Sequence, residues 1–162
     1  MNAAAIVYTS QTGFTAWYAA LLAERTGLPC RPLKEAAALP RGTAVIYLGW
    51  LCAGGIKGLK EARLRFRTAA VCAVGMAAEV EEAKLRRDNR LEGVPLFYLR
   101  GGYAPEKLTG FYRAMMAPMA RLVSRAPAET EADRAMRDAF RDGGDWVSPE
   151  RLAPVLAWLD GD

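Results

Sequence analysis

The sequence contains no histidine among its 162 residues. This absence excludes Ser-His-Asp and Cys-His catalysis and most zinc sites, because these depend on an imidazole side chain. Cysteine is scarce as well. Cys30, Cys52 and Cys72 are odd in number and far apart in sequence, which is typical of reduced structural thiols and not of a disulfide framework. We therefore expect neither triad-type hydrolysis nor disulfide bonds.

Long apolar runs are also lacking. No run reaches the length of about 18 residues that a membrane-spanning helix needs. The opening "AAAIVY" has no basic residue before it and is too short for the apolar core of a signal peptide. These features predict a cytoplasmic protein, peripheral to a membrane at most.

Charge is distributed unevenly around a net value of +4. Basic residues predominate in residues 1–127 and acidic ones in residues 128–162, and a basic body favours anionic partners. However, the basic side chains of "KGLKEARLRFR" and "KLRRDNR" have the spacing of solvated helix faces, and Phe66 is the only aromatic residue among them. We therefore expect no nucleic-acid partner.

Strand-like apolar runs alternate with segments of helical period. The runs cover residues 3–9, 44–48, 69–74 and 94–99, with a weaker run at 30–33. Near-continuous apolar strands between helices predict a parallel sheet covered on both faces. We predict an α/β three-layer sandwich with a five-stranded parallel sheet of order 2-1-3-4-5. The length suits one domain, 1–162, in which residues 103–147 form an inserted or extended helical segment before a terminal helix.

In such a sheet, ligands bind beyond the carboxyl ends of the strands, where the strand order reverses. The loops after strands 1, 3 and 4 would therefore share one edge, and they read "TSQTGFT", "GWLCAGGIKG" and "VGMAAE". Glycines in the last two loops permit close approach of the backbone to a flat ligand. Glycine is also ordinary at strand ends, so either loop alone is a weak signal.

The first loop is rich in hydroxyl groups. It places Thr9, Ser10, Thr12 and Thr15 around Gly13, directly before a helical pattern. Thr12 alone would serve as the N-cap of that helix. The remaining hydroxyls are better explained by a bound anion, because the first N–H groups of a helix are unpaired and its dipole favours negative charge.

The residues present exclude several other kinds of protein that share this fold class. The first loop contains neither the G-x-G-x-x-G dinucleotide motif nor a P-loop. A receiver domain needs aspartates after strands 1 and 3, but the first aspartate of the chain is Asp88. The ligand that binds at this edge of the sheet must therefore be inferred from the hydroxyl-rich loop itself.

The stretch "SQTGFT" matches the [ST]-x-T-G-x-T phosphate loop of flavodoxins. With "TSQTGFTAWYAALLAE", "VGMAAEVEEAKLRRDN" and "VPLFYLRGGYAPEKL", the chain resembles the flavodoxin-domain branch related to menaquinone-dependent protoporphyrinogen dehydrogenase, over roughly residues 3–125. The resemblance implies a flavodoxin-like fold and a non-covalently bound FMN cofactor.

The resemblance also implies roles for individual residues. Ser10, Thr12 and Thr15 would hold the phosphate together with backbone N–H groups, and Trp50 would stack on the isoalloxazine ring unless it is a core or interface tryptophan. Gly54 or Gly55 would supply the peptide that follows protonation of flavin N5. The implied cofactor-binding residues are Ser10, Gln11, Thr12, Gly13, Phe14, Thr15, Gly49, Trp50, Leu51, Cys52, Ala53, Gly54, Gly55, Gly75, Met76 and Ala77.

Two features depart from the family pattern. The loop "GMAAEVEE" has no aromatic residue for the second face of the ring, which leaves Met76 to cover it, and the sequence pI of about 9.1 is basic where flavodoxins are usually acidic. The expected function is electron transfer through FMN, with a redox partner protein or a small-molecule donor or acceptor. The alternatives are a quinone-linked flavoenzyme similar to protoporphyrinogen dehydrogenase and an interaction module that has lost tight FMN binding.

The segment from Tyr103 to Arg125 combines a broad apolar face with basic side chains. Its ordinary role would be to cover an edge of the sheet. A basic amphipathic helix rich in methionine is also typical of peripheral membrane contact, so both roles are open. Pro118 is expected to bend or interrupt the helix, and an acidic connection should lead from it to the terminal helix near "SPERLAPVLAWL".

Overall fold

The computed structural model describes residues 2–161. The strands are β1 (Ala5–Thr9), β2 (Cys30–Pro32), β3 (Ala44–Cys52), β4 (Gly55–Ile56), β5 (Arg67–Gly75), β6 (Leu96–Arg100), β7 (Gly102–Tyr103) and β8 (Gly144–Asp145). The α-helices are α1 (Phe14–Thr26), α2 (Leu59–Arg65), α3 (Glu82–Asp88), α4 (Gly110–Arg125), α5 (Glu131–Asp142) and α6 (Ala153–Asp160). Short 3₁₀ turns occupy Leu33–Ala38, Pro105–Lys107 and Pro149–Leu152.

A six-stranded, mostly parallel sheet forms the centre of the molecule. The neighbours β2-β1-β3-β5-β6 are all paired in parallel, and β4 pairs antiparallel with the end of β3. The predicted α/β class, with a largely parallel sheet and flanking helices, is confirmed. The predicted number of five strands is wrong, because the chain turns back after Cys52 and Gly55–Ile56 adds a short sixth strand.

Apolar side chains are buried on both faces of the sheet. Alternate strand residues such as Ile6 and Leu48 pack with α1 and α6, whereas Val7 and Val45 pack with α2 and α3. Tyr18 of α1 is fully buried, and its hydroxyl donates to the Arg100 carbonyl at 2.6 Å. This period-two burial explains why the strands read as nearly continuous apolar runs.

The segment after β6 is helical and much more exposed. β7 and β8 pair in a second, two-stranded sheet. In the chain, β7 precedes α4 and β8 follows α5. α4 continues through Pro118 to Arg125, so the helix is not interrupted there. The acidic connection contains α5, which begins with a reciprocal capping box between Thr130 and Asp133. Within residues 2–161, no helix has both the length and the apolar character needed to cross a membrane.

Candidate functional site

A cavity of about 490 Å³ lies at the carboxyl edge of the central sheet. One side, the sheet wall, consists of the lining residues from the ends of β1, β3 and β5 and the loops that follow them. The other side, the helical wall, consists of lining residues from α4 and α5, namely Tyr112, Met115, Met116, Met119, Val123, Met136 and Phe140. Cofactor and small-molecule sites typically enclose about 300–1,000 Å³.

The position of the cavity follows from the strand order. β1 leads to β2 on one side, whereas β3 lies on the other side of β1. The direction of winding therefore reverses between β1 and β3, and the helices that follow them, α1 and α2, lie on opposite faces of the sheet. Such a reversal opens a crevice beyond the carboxyl ends of the two strands. The loop after β1 and the end of β3 both line the cavity at this point.

The polar end of the cavity is the start of α1. Gly13 precedes the helix in the left-handed region, with φ of 105°, and no side chain caps the helix. Ser10 Oγ accepts a hydrogen bond from the Gly13 N–H at 3.1 Å, which closes the turn. Thr12 is therefore not the N-cap. The first N–H groups of the helix, from Phe14 onward, have no intrahelical acceptor.

The four hydroxyl groups of this loop have different roles. The buried Tyr47 hydroxyl donates to the Lys57 carbonyl at 2.5 Å and lies 2.7 Å from Thr9 Oγ1. Because Tyr47 has a single proton to give, Thr9 is the donor in the second bond, and its hydroxyl belongs to the fold. Thr12 and Thr15 line the cavity, and Thr15 is only 2% exposed.

Trp50 lies on the rim between the two walls. Its ring meets Tyr112 of α4 edge-on, with ring centroids 5.0 Å apart. Lys57 Nζ lies 6.0 Å from the Trp50 ring centre and 5.6 Å from that of Tyr112, within the range of cation–π attraction. Trp50 is half-buried and contributes to the cavity lining, so it is not a core tryptophan.

A tight turn forms the next part of the rim. Cys52 pairs with Gly55, and the two residues between them have positive φ, 51° at Ala53 and 84° at Gly54. Positive φ at both central positions is characteristic of a type I′ hairpin turn. Alanine is disfavoured there because its Cβ crowds the backbone, so the turn requires support from its surroundings.

Side chains of β6 hold the loop after β5. The Tyr98 hydroxyl donates to the Ala77 carbonyl at 2.7 Å, and Arg100 Nε donates to the Met76 carbonyl at 3.0 Å. Burial raises the pKa of Tyr98 to about 12, so its hydroxyl remains protonated near neutral pH. A Cβ at Gly75 would lie 2.9 Å from this hydroxyl, so glycine is needed for the close approach. Tyr98 also lines the cavity.

Most of the predicted site residues come together in this cavity. The sheet wall is lined by Ser10, Gln11, Thr12, Phe14, Thr15, Trp50, Leu51, Cys52, Ala53, Gly54, Gly75, Met76 and Ala77. Gly13, Gly49 and Gly55 do not line it. Gly13 forms the α1 cap, and Gly55 pairs with Cys52 in the β3–β4 ladder. Gly49 is buried, and a Cβ there would lie 2.6 Å from the Lys57 carbonyl.

Sequence patterns missed the helical wall as part of the site. The apolar face of α4 is visible in the sequence as residues at helical spacing, but this pattern predicts a sheet cover or a membrane contact. Part of that face lines the cavity, whereas Phe111 and Leu122 remain 72% and 69% exposed. Missed lining residues outside the helical wall are Val74, Val80, Tyr98, Gly102, Tyr103, Ala104 and Leu108.

The donor set of the cavity is neutral. Across residues 2–161, the lining side chains include no Lys, Arg, Asp or Glu. The same range contains no group of three or more Cys, Asp or Glu side chains arranged to hold a metal ion. The cavity thus combines an apolar body with hydroxyl and backbone N–H donors at one end.

Comparisons with protein-family models, curated proteins and solved structures give no match for this chain.

Proposed function

We propose that the protein binds FMN non-covalently and transfers electrons through it. The observation that carries this proposal is the joining of two features in one cavity: an uncapped helix N-terminus with hydroxyl groups, and an apolar crevice at the reversal of strand order. The first is suited to a terminal phosphate and the second to a flat aromatic ring.

The strand order supports a flavodoxin-like interpretation of the fold. When the two-residue β4 is set aside, the order β2-β1-β3-β5-β6 corresponds to 2-1-3-4-5. Flavodoxin-like sheets have this order and bind FMN at the switch point beside β1. The sequence resemblance in "SQTGFT" and the position of that loop in the cavity are consistent with the same assignment.

The chemistry of the donors agrees with a phosphate at the α1 terminus. Ser10 Oγ accepts from Gly13 and can still donate its own proton, because a hydroxyl both accepts and donates. Thr12 and Thr15 offer two further hydroxyl donors. The helix dipole and the free N–H groups add favourable interactions with a negative charge, without a cationic side chain.

Other residues would orient the ring and exclude water. Trp50, on the rim, would contact it, and Met76 and Ala77 border the cavity from the loop after β5. When bound, FMN supplies the electron chemistry, and the protein supplies its position and its electrostatic surroundings. The apolar lining would lower the local dielectric and strengthen each polar contact.

A second candidate function is favoured by the helical wall. The cavity extends beyond the loops to the methionines of α4 and α5, so it has apolar surface that a phosphate site does not require. Methionine side chains adapt to irregular apolar ligands. This extension favours a flavoenzyme that passes electrons to an apolar small molecule, such as a quinone, over a carrier that serves only protein partners.

The partner proposal includes the exposed part of α4. Phe111, Met115, Met119 and Leu122 are exposed along this helix, which also carries Arg121 and Arg125. An apolar stripe accompanied by arginines is suited to the surface of an anionic membrane. This contact would bring an apolar electron acceptor close to the cavity.

Titration of the purified protein with FMN, riboflavin and FAD tests the proposal. We expect saturable FMN binding, detected by quenching of flavin fluorescence, with at least tenfold weaker binding of riboflavin because it lacks the phosphate. Reduction of the bound flavin by a quinol would favour the enzymatic candidate. Equal affinity for FMN and riboflavin would overturn the phosphate assignment. If no flavin binds, the proposed function is wrong and the alternative of an interaction module is favoured.

A further inference from the structure

Asn89, at the C-terminal end of α3, connects that helix to the rim of the cavity. Its Oδ1 accepts from the Ile56 N–H at 2.9 Å, and its Nδ2 donates to the Gly54 carbonyl at 2.9 Å. The same Nδ2 donates to the Leu85 carbonyl of α3, also at 2.9 Å. Both N–H bonds and the oxygen of this amide are therefore engaged, which fixes its orientation.

These contacts complement the hairpin itself. Cys52 and Gly55 form the last paired residues before the turn, so the Ile56 N–H points away from β3. The Asn89 side chain accepts from that free N–H and donates to the free carbonyl of Gly54. Its own backbone carbonyl accepts from Arg63 of α2 at 3.1 Å, which anchors the amide to a second helix.

We propose that Asn89 is a positioning residue for the cofactor cavity. By holding both Gly54 and Ile56, it keeps the Ala53–Gly54 turn in its left-handed conformation and fixes the rim that Trp50, Leu51 and Ala53 form. The Gly54 carbonyl can rotate only after its bond to Asn89 breaks. The peptide after Gly54 is therefore restrained, whereas the flavodoxin resemblance implies a peptide at Gly54 or Gly55 that changes conformation when flavin N5 is protonated.

This inference rests on the proposed FMN function for its effect on the ligand, but the restraint on the turn is independent of any ligand. Three variants separate the contacts. Asn89→Ala removes them all, whereas Asn89→Asp keeps the acceptor for the Ile56 N–H and loses both donors. Arg87→Ala, on the exposed side of the same helix, is the matched control.

Amide hydrogen exchange of the cofactor-free protein tests the restraint. Exchange of the Ile56 N–H should become at least tenfold faster in Asn89→Ala and should stay close to wild type in Asn89→Asp and Arg87→Ala. Unchanged Ile56 exchange in Asn89→Ala would overturn the proposal, whether or not the protein binds FMN. If Asn89→Ala fails to fold, Asn89→Asp provides a second test. Rapid exchange of the Ile56 N–H in Asn89→Asp, with wild-type exchange in Arg87→Ala, would contradict the role of the side-chain oxygen at position 89 as the acceptor for that N–H.

FMN titration and reduction potentials test the effect on the site. Asn89→Ala and Asn89→Asp should each bind FMN about tenfold more weakly than wild type. They should also shift the reduction potential of the bound flavin, which a loss of general stability would not do, and Arg87→Ala should do neither. Wild-type affinity and potential in both Asn89 variants would overturn the positioning role. Failure of the wild type to bind FMN would refute the proposed function. Hydrogen exchange would then still test whether Asn89 restrains the turn.

Discussion

The two walls of the cavity are held in place by different means. The sheet wall lies on strands with fully buried side chains, such as Leu48, and its loops are held by Tyr98, Arg100 and Asn89. The helical wall has little of this support. α4, which is described in full, has no buried side chain, and in α5 only Ala139 is buried. One wall is therefore preorganised, and the other can move at small cost.

Because of this difference, the two walls are suited to different ligands. A fixed wall suits a cofactor that must remain in one position, because binding then costs little ordering. An adaptable wall of methionines suits a partner or substrate that enters and leaves. Under the proposed function, the sheet wall would bind the cofactor and the helical wall would exchange the second reactant.

The largest expected effect comes from a pair of identical substitutions in the two regions. Leu48 is fully buried in the core, and Leu122 of α4 is 69% exposed. Leu48→Ala should lower the free energy of unfolding by about 2–5 kcal/mol. Leu122→Ala should change it by less than about 0.5 kcal/mol. Urea denaturation measures both, and a loss above about 2 kcal/mol for Leu122→Ala would show that α4 is part of the core.

A second pair tests the support beneath the sheet wall. Gly58 and Gly42 both have left-handed φ, 78° and 80°. A Cβ at Gly58 would lie 2.1 Å from the Tyr47 hydroxyl and 2.5 Å from Thr9 Oγ1, whereas a Cβ at Gly42 meets nothing within 4 Å. Both alanine substitutions carry a backbone cost of about 1–2 kcal/mol.

Gly58→Ala should lose about 1–3 kcal/mol more than Gly42→Ala, because the Tyr47–Thr9–Lys57 hydrogen bonds must shift. Thermal or urea unfolding of the two variants gives the difference directly. Equal losses would mean that the close contact at Gly58 is relieved without cost, and the sheet wall would be less rigid than its hydrogen bonds indicate.

The sequence predicted the sheet wall well because burial leaves a strong pattern. β1, β3, β5 and β6 each overlap a predicted apolar run, but β3 continues through Cys52 into residues predicted as a loop. Parts of the predicted loops line the cavity. The hydroxyl pattern was less informative, since Thr9 and Thr12 have the same chemistry but only Thr12 lines the cavity. The partner of Thr9 is Tyr47, 38 residues away, and no local pattern reveals such a bond.

Other elements were missed for identifiable physical reasons. β4, β7 and β8 contain only two residues each, too few for any periodicity. α5 is strongly charged and has little apolar signal, although the Thr130–Asp133 capping box marks its start. The sequence indicates Asn89 only as part of a basic helix, because its hydrogen bonds to Gly54 and Ile56 depend on tertiary packing.

A smaller effect is expected where the two walls meet. Trp50→Ala should weaken FMN binding through loss of aromatic contact worth about 0.5–1.5 kcal/mol beyond burial, or up to about tenfold in affinity. Flavin fluorescence titration measures this loss. Trp17→Ala, which removes a 40% exposed tryptophan from α1, serves as the control. The same affinity in both variants would remove Trp50 from the binding site.

The smallest effect concerns the exposed side of α4. Binding to vesicles with anionic headgroups should weaken by about 1 kcal/mol when Arg121 is replaced by alanine, or about fivefold, and it should weaken further at high salt. Leu122→Asp should fold normally, because Leu122 is 69% exposed and lies outside the cavity lining, and it should lose vesicle binding. Sedimentation with the vesicles measures both. If the wild-type protein stays in the supernatant at low salt, this surface does not bind such membranes.

The central claim is that the sheet wall recognises the phosphate of FMN. The most direct test is the ratio of riboflavin to FMN dissociation constants in wild type and Thr12→Val, measured by fluorescence titration. Loss of one charge-assisted hydrogen bond costs about 1.5–3 kcal/mol. We predict that Thr12→Val weakens FMN binding about ten- to hundredfold and leaves riboflavin binding unchanged, so that the ratio collapses. An unchanged ratio, or an equal loss for both flavins, would contradict the account.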